Sequence, residues 1–171
     1  RFFVCVMKKT VIVTGTPGTG KTKVARLIAK KIRARYVDIN KIIDEHNLSS
    51  GYDRKLKTKI VSIKKLVPVL VGIIKKGKEN LVIDGHLSHY IPAKYVDVCV
   101  VTTCDLGSLR KRLEKRGYNK AKIGENLDSD RFGVCMLDAF NNRHKVRIVD
   151  TTKGIKKLDV GDVGDIIHRG G

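Results

Sequence analysis

The chain has 171 residues, of which 42% are apolar, which is enough for one domain with a real core and argues against global disorder. Lys and Arg (36) outnumber Asp and Glu (17), so the net charge is +19 and the isoelectric point is about 10.0. This surplus is typical of proteins that meet a polyanion, such as RNA or a ribosomal surface, and equally typical of a lysine-rich proteome. No apolar run approaches the length of a membrane span, which argues against a membrane protein and favours a cytoplasmic one.

The cysteine pattern and the first residues also bear on the class of protein. The four cysteines form no C-x-x-C pair; they are Cys5, Cys99, Cys104 and Cys135. This spacing argues against a zinc site or a disulfide framework and favours reduced thiols. The opening RFFVCV precedes Met7, so we interpret residues 1–6 as an upstream extension and expect a single domain over 7–171.

The pattern of apolar residues along the chain predicts alternating strands and helices. Short apolar or β-branched runs predict five strands, at about 10–14, 35–39, 81–84, 95–102 and 146–149. Helical spacing predicts helices at about 20–33, 41–46, 62–76, 106–116 and 121–141, and a short one in the tail from Leu158. Asn40 and Ser62 are candidate N-caps, Pro68 predicts a kink or a later helix start, and 48–59 is expected to be a mobile surface segment. The alternation predicts a three-layer α/β fold with a parallel sheet of about five strands, which binds ligands at the carboxyl ends of its strands.

One glycine-rich motif joins the first predicted strand to the first predicted helix. Val11–Thr22 reads VIVTGTPGTGKT and matches G-x-x-x-x-G-K-[ST] from Gly15 to Thr22. In this context the motif predicts a P-loop, because glycines let backbone N–H groups turn towards phosphate oxygens at a helix N-terminus. The alternative is an ordinary glycine-rich turn. The predicted ATP-binding residues of this stretch are Gly15, Pro17, Gly18, Thr19, Gly20, Lys21, Thr22 and Lys23, with Lys21 on the β- and γ-phosphates.

A second group of chemical interest follows the third predicted strand. Asp84 ends an apolar run, and a carboxylate at the carboxyl end of a strand is where a P-loop protein holds Mg²⁺. Thr22 and Asp84 are therefore the predicted Mg²⁺ residues, the alternative being that Asp84 only forms a turn. His86 could orient a water or an acceptor hydroxyl, since the pKa of histidine lies near neutrality, although taken alone it would be a structural histidine.

Five short motifs together carry a family resemblance. They are GTPGTGKT at Gly15–Thr22, GYD at Gly51–Asp53, the pair Asp84-x-His86, RLEKRGY at Arg112–Tyr118 and EN at Glu125–Asn126. From about Val11 to Ala139 the chain resembles the adenylate kinases of the isoenzyme 6 type. The resemblance implies an adenylate-kinase-like P-loop fold, with a monophosphate-binding segment at about 38–60 and a short lid at about 115–125. It also implies Mg²⁺-dependent transfer of the ATP γ-phosphate to AMP, ATP hydrolysis as a second activity and, as in eukaryotic members, binding to a small-subunit ribosomal protein.

The resemblance further implies roles for cations outside the P-loop. Arg116 lies beside Gly117, a candidate hinge, and its guanidinium suits the spread charge of a moving phosphoryl group. Arg112 lies one helical turn earlier on the same face; for both arginines the alternative is a solvated basic surface. Lys153, after the fifth strand, is expected to touch adenine or ribose.

The sequence leaves three functions in competition. The leading one is a nucleoside monophosphate kinase in which Lys21, Asp84, His86, Arg112 and Arg116 act on the phosphates. The second is an ATPase that assists small-ribosomal-subunit assembly by binding rRNA or a ribosomal protein, and the third is a shikimate- or cytidylate-type kinase. The chain has lysines and an arginine after Gly51–Asp53, where relatives usually have acidic residues, so the acceptor stays open, as does the choice between monomer and homodimer.

Overall fold

The computed structural model describes residues 8–155, and the expectations for residues 1–6, for Met7 and for the tail helix lie outside them. The central sheet has five strands: β1 (Thr10–Thr14), β2 (Arg35–Asp38), β5 (Leu81–Asp84), β6 (Val98–Thr103) and β7 (Val146–Asp150). Their order is β2-β5-β1-β6-β7, and every neighbouring pair is parallel. The predicted five-stranded parallel sheet is therefore confirmed.

Helices cover both faces of the sheet. They are α1 (Lys21–Lys31), α2 (Ile39–Glu45), α3 (Ile63–Lys76), α4 (Leu106–Lys115), α5 (Lys120–Arg131) and α6 (Val134–Asn141), with two short 3₁₀ turns, Ser88–Tyr90 and Ala93–Tyr95. Successive side chains of a strand point to opposite faces, so Val11 and Val13 pack with the α1 layer while Ile12 packs with the layer of α2 and α3. The three-layer α/β architecture follows from this division.

The strand order places a crevice at the carboxyl end of β1. The chain leaves β1 towards α1, and the neighbours of β1 on its two sides, β5 and β6, come from later parts of the chain. In an open α/β sheet ligands bind where the strand order reverses, outside the carboxyl ends. Thr14, Asp84 and Thr103 end the three central strands at this edge.

The segment 48–59, predicted to be a mobile surface segment, lies on the surface and forms most of a β-hairpin, which the sequence did not indicate. Strands β3 (Ser49–Asp53) and β4 (Thr58–Val61) pair antiparallel, and Asp53 Oδ1 accepts a hydrogen bond of 2.9 Å from Leu56 N in the turn. The hairpin is largely exposed on both faces, so it lacks the alternation of apolar residues that reveals a half-buried strand. The start of α5 contacts its turn: Asn119 Nδ2 donates to Lys55 O at 3.0 Å, and Lys122 Nζ donates to Lys57 O at 3.3 Å.

Three helix predictions also need correction. The single helix expected over 121–141 is two helices, α5 and α6, because the chain turns at Gly133 with φ of 60°. Asp38, not Asn40, caps α2: its Oδ1 accepts a hydrogen bond of 2.8 Å from Asn40 N. Helix α3 starts at Ile63 and contains Pro68 on its exposed side, so the later start is ruled out, and the Ser62 side chain makes no capping hydrogen bond. Within residues 8–155, no helix has the length and apolar character needed to cross a membrane.

Candidate active site

The P-loop runs from the end of β1 to the start of α1 and depends on two of its glycines. Gly15 and Gly18 have φ of 140° and 97°, a backbone region that side chains disfavour. A Cβ on Gly15 would lie 2.5 Å from the carbonyl oxygen of Thr102, and one on Gly18 would lie 2.9 Å from Leu109 Cδ1. Both positions therefore need glycine for conformation and for close packing.

Threonine hydroxyls hold the P-loop in shape from inside the protein. Thr19 Oγ1 donates to Thr16 O and lies 2.7 Å from Thr102 Oγ1, and Thr151 Oγ1 donates to Thr19 O at 2.7 Å. The buried side chain of Thr19, a predicted ATP-binding residue, is thus engaged with the interior. Thr102 and Thr151 were missed by the sequence analysis. The signal that could have found them is a hydroxyl residue at the carboxyl end of a predicted strand.

Lys21, the first residue of α1, is a half-buried cation inside the loop. Its Nζ donates to Thr16 O at 3.1 Å. Burial lowers the pKa of Lys21 to about 8, and the nearby Arg116 charge acts in the same direction, whereas Asp84 and Asp130 oppose the shift. A cation held in this way is poorly compensated, and an anionic phosphate beside it would stabilise its charged form.

Asp84 connects the P-loop helix to β2. Its Oδ2 accepts hydrogen bonds of 2.7 Å from the Thr22 hydroxyl and of 2.7 Å from the Tyr36 hydroxyl. Asp84 is only 4% exposed, so the two donors replace the hydrogen bonds that water would otherwise make to its carboxylate. Burial and the bond to Asp84 raise the pKa of Tyr36 to about 12. Sequence reasoning missed Tyr36, which shares no motif with the residues it contacts.

The chemistry of the Thr22–Asp84 pair fits a magnesium ion. Mg²⁺ takes oxygen ligands and in phosphate sites is held by one or two protein groups together with phosphate oxygens and water. Thr22 and Asp84 supply a hydroxyl and a carboxylate that already meet at the predicted position. No cluster of three or more His, Cys, Asp or Glu side chains that could hold a metal occurs in the part of the chain that the structure describes.

His86, which follows β5, lines a cavity of about 410 Å³. The cavity is lined by residues of α2, the β3–β4 hairpin and the loop after β5: Asn40, Ile43, Asp44, Tyr52, Lys57, Thr58, Lys59, Val61, His86 and Leu87. The His86 side chain is accessible from the cavity, but the surrounding protein limits its hydration; this and the Lys21 charge lower the pKa of His86 to about 4. Its imidazole is therefore neutral near pH 7. Lys59 forms an ion pair with Asp44 at the cavity wall.

The predicted cations outside the P-loop occupy different environments. Arg112 is half-buried; its guanidinium donates to Thr151 Oγ1 at 2.9 Å, to Thr151 O at 2.7 Å and to Gly18 O at 3.4 Å, so it is no solvated surface residue. Arg116 is exposed at the end of α4 and within electrostatic reach of Lys21. Lys23 and Lys153 are exposed, the latter in the loop that follows β7 near Gly20.

Comparisons with known proteins show which family the chain resembles in sequence. A family model described as an AAA domain matches residues 11–133. The chain is 33% identical over 158 residues to adenylate kinase isoenzyme 6 homolog FAP7 of Saccharomyces cerevisiae, a match that covers 92% of this chain and 79% of the relative. It is 35% identical over 142 residues to the adenylate kinase isoenzyme 6 homolog of Dictyostelium discoideum, covering 83% and 79%.

Solved structures share the fold at low sequence identity. Shikimate kinase from Acinetobacter baumannii, in complex with shikimate, superposes with a TM-score of 0.65 at 12% identity, covering 94% of this chain and 93% of that one. Deoxyadenosine kinase from M. mycoides, with bound dATP, superposes with a TM-score of 0.53 at 14% identity, covering 92% and 97%. The fold is that of the P-loop kinases, and the chain belongs to the adenylate kinase isoenzyme 6 family.

Proposed function

We propose that this protein transfers the γ-phosphoryl group of ATP to AMP, giving two ADP, with ATP hydrolysis as a slower side reaction. The observation that supports the proposal most is the cavity of about 410 Å³, because one of its lining residues, His86, is within electrostatic reach of Lys21 of the P-loop. A hydrolase needs room for a water only, whereas a kinase needs room for an acceptor in line with the donor phosphate.

On the donor side, the P-loop backbone and Lys21 bind the ATP phosphates. Thr22 and Asp84 would hold Mg²⁺, which offsets the charge of the β- and γ-phosphates when it is bound. Tyr36 donates to Asp84 at 2.7 Å and so fixes the orientation of that carboxylate. Arg112 stabilises the P-loop by donating hydrogen bonds to Gly18 O and to Thr151 O. Arg116 approaches the transferring group from the exposed end of α4 and stabilises its charge.

On the acceptor side, the cavity lining suits a nucleoside monophosphate. Tyr52 offers an aromatic face for a base, and Lys57 of the hairpin offers positive charge for a phosphate, whereas Lys59 is already paired with Asp44. The neutral His86 ring can hydrogen-bond the attacking oxygen. No covalent enzyme intermediate is needed, because positioning and electrostatics are sufficient for phosphoryl transfer.

The test follows nucleotides by chromatography with the purified full chain, Mg²⁺ and ATP, with or without AMP, dAMP or CMP. We expect ADP to form much faster with AMP, at two ADP per AMP consumed. Lys21→Ala should abolish transfer without unfolding the protein, and Lys30→Ala, at an exposed lysine of the same helix, is the matched control. Equal and slow ADP formation with every acceptor, or full activity in Lys21→Ala, would contradict the proposal.

A second candidate function is an ATPase that assists ribosomal-subunit assembly. The observation that favours it is the set of exposed basic side chains on the hairpin and at the start of α3: Arg54, Lys55, Lys57, Lys59, Lys64 and Lys65. Such a surface would bind rRNA, or a ribosomal protein with an acidic surface, with strong salt dependence. Binding of an rRNA fragment that weakens with salt and changes when ATP is added would support this function, and salt-independent binding would contradict it.

A further inference from the structure

We propose that His89 is a positioning residue of the phosphoryl-transfer site, which holds the start of the P-loop and the main chain of His86 in register through the Thr14 hydroxyl. The inference rests on the proposed function, because it concerns the same site. His89 lies in the 3₁₀ turn Ser88–Tyr90, shortly after Asp84, and is only 3% exposed. It therefore contacts no ligand and can act only through its neighbours.

One face of the His89 ring contacts the strand that carries the P-loop. His89 Nδ1 lies 2.8 Å from Thr14 Oγ1, and the same hydroxyl donates to His86 O at 3.2 Å. Thr14 is the last residue of β1 and precedes Gly15, where the P-loop begins. A single hydroxyl thus joins the ring to the P-loop and to the main chain of the proposed acceptor-orienting residue.

The contacts allow two neutral forms of the ring. In the Nδ1–H form the ring donates to Thr14 Oγ1 and the hydroxyl donates to His86 O, whereas in the Nε2–H form the hydroxyl donates to Nδ1 and Nε2–H faces Asp138. Burial lowers the pKa of His89, and holding His86 through Thr14 requires the Nδ1–H form. Within the described residues, Nε2 has no hydrogen-bond partner and lies 3.5 Å from Asp138 Oδ2 on α6.

The main chain of His89 is fixed from the other side. Its carbonyl oxygen accepts hydrogen bonds of 2.9 Å from Asn142 Nδ2 and of 2.9 Å from His144 Nε2, just beyond α6. Ser88 Oγ also donates to Val13 O at 3.2 Å, a second link from this turn to β1. The main chain that carries the ring is therefore anchored on two sides, which a positioning residue requires.

The competing interpretation is a histidine that only fills the core. An apolar side chain would fill this space without burying two ring nitrogens, and buried polar groups are unfavourable unless they are hydrogen-bonded. Packing alone predicts that leucine restores function. Positioning predicts that function follows the hydrogen-bond donor at the place of Nδ1, whatever the shape of the side chain.

The kinetic test compares His89→Leu, which keeps the bulk, with His89→Asn, whose amide can donate where Nδ1–H does. For His89→Leu we expect kcat to fall about tenfold to a hundredfold, with the KM for ATP within about twofold. His89→Asn should recover kcat to within about threefold of the unchanged protein. A His89→Leu variant with normal kcat, or equal losses in both variants, would overturn the proposal. His46→Leu, at an exposed histidine, is the control for the substitution itself.

A spectroscopic test does not depend on activity. Long-range ¹⁵N–¹H correlation spectra should show His89 as the neutral Nδ1–H tautomer, and Thr14→Val should shift the His86 ring signals. An Nε2–H tautomer, or unchanged His86 signals in Thr14→Val, would overturn the proposal even if the kinase is active. If His89→Leu fails to fold, Thr14→Val tests the same hydrogen bond from its other partner. A wild-type protein without phosphoryl transfer would refute the proposed function, and these spectra would still decide whether His89 holds His86.

Discussion

The hydrogen bond from Tyr36 to Asp84, at the candidate magnesium site, can be tested by its effect on stability. Tyr36→Phe removes one of the two donors to Asp84 Oδ2 and keeps the ring, which packs under the Arg26 guanidinium at 5.3 Å. A hydrogen bond to a charged group contributes about 1.5–3 kcal/mol to stability. Asp84 is 4% exposed while Tyr36 is only partly buried, so we expect a loss in the lower half of this range, about 1.5–2 kcal/mol.

The assay is thermal unfolding of the full chain, followed by circular dichroism. For a domain of this size the loss corresponds to a Tm lowered by about 3–8 °C. Tyr95→Phe is the matched control: it removes the same atom from a ring flanked by Lys75 and Lys94, and should change Tm by about 1 °C or less. If both variants had the same Tm, the Tyr36–Asp84 hydrogen bond would contribute nothing to stability and the reasoning would be refuted.

The other predictions concern pH and the support of the P-loop. The pKa of Tyr36 is raised from 10.0 to about 12 in the folded protein, so the protonated hydroxyl stabilises the fold fully below pH 10, and this contribution is lost as pH rises towards 12. Urea titrations at alkaline pH should show this decline in stability for the unchanged protein and not for Tyr36→Phe. The kcat/KM for ATP should fall above about pH 8 as free Lys21 loses its proton. Between pH 5 and 7 the profiles of the unchanged protein and of His86→Gln should have the same shape, because the pKa of His86 is lowered to about 4 and a transition there belongs to the ATP phosphate; a transition that His86→Gln removes would contradict this. Arg112→Met should raise the KM for ATP about tenfold, because it removes the hydrogen bonds to Gly18 O and Thr151 that support the P-loop. Arg110→Met, at an exposed arginine on α4, is the control. Equal KM values in the two variants would contradict the supporting role of Arg112.

The features that could be predicted from the sequence are those set by local information. The succession of most strands and helices along the chain follows from periodicity, and the P-loop follows from one contiguous motif. Asp84 follows from its place at the end of an apolar strand. These features depend on neighbours along the chain, which a single sequence displays. The meeting of Thr22 with Asp84 was predictable because both were assigned to the same edge of the sheet.

What the sequence analysis missed depends on contacts between distant segments. Tyr36 reaches Asp84 only because β2 pairs with β5, an order that periodicity does not specify. Arg112 was predicted to act on the phosphates, with a solvated surface as the alternative, and its hydrogen bonds to Thr151 were not foreseen, since a polar helix face carries no sign that the chain after a distant strand lies opposite. The β3–β4 hairpin is held mainly by backbone hydrogen bonds and has no buried face, and Gly133 ends α5 by its positive φ rather than by a change in hydrophobic pattern.

The contact between the hairpin turn and α5 has a thermodynamic consequence. Asn119 and Lys122 bind the carbonyl oxygens of Lys55 and Lys57, so the wall of the 410 Å³ cavity and the helix that follows α4 are joined. A ligand that strengthens or weakens these two hydrogen bonds therefore affects both the cavity wall and α5. Coupling free energy is reciprocal, so the factor by which a donor nucleotide alters the affinity for the acceptor must equal the factor by which the acceptor alters the affinity for the donor. Order of addition can therefore change the path to the ternary complex but not the total free energy of forming it.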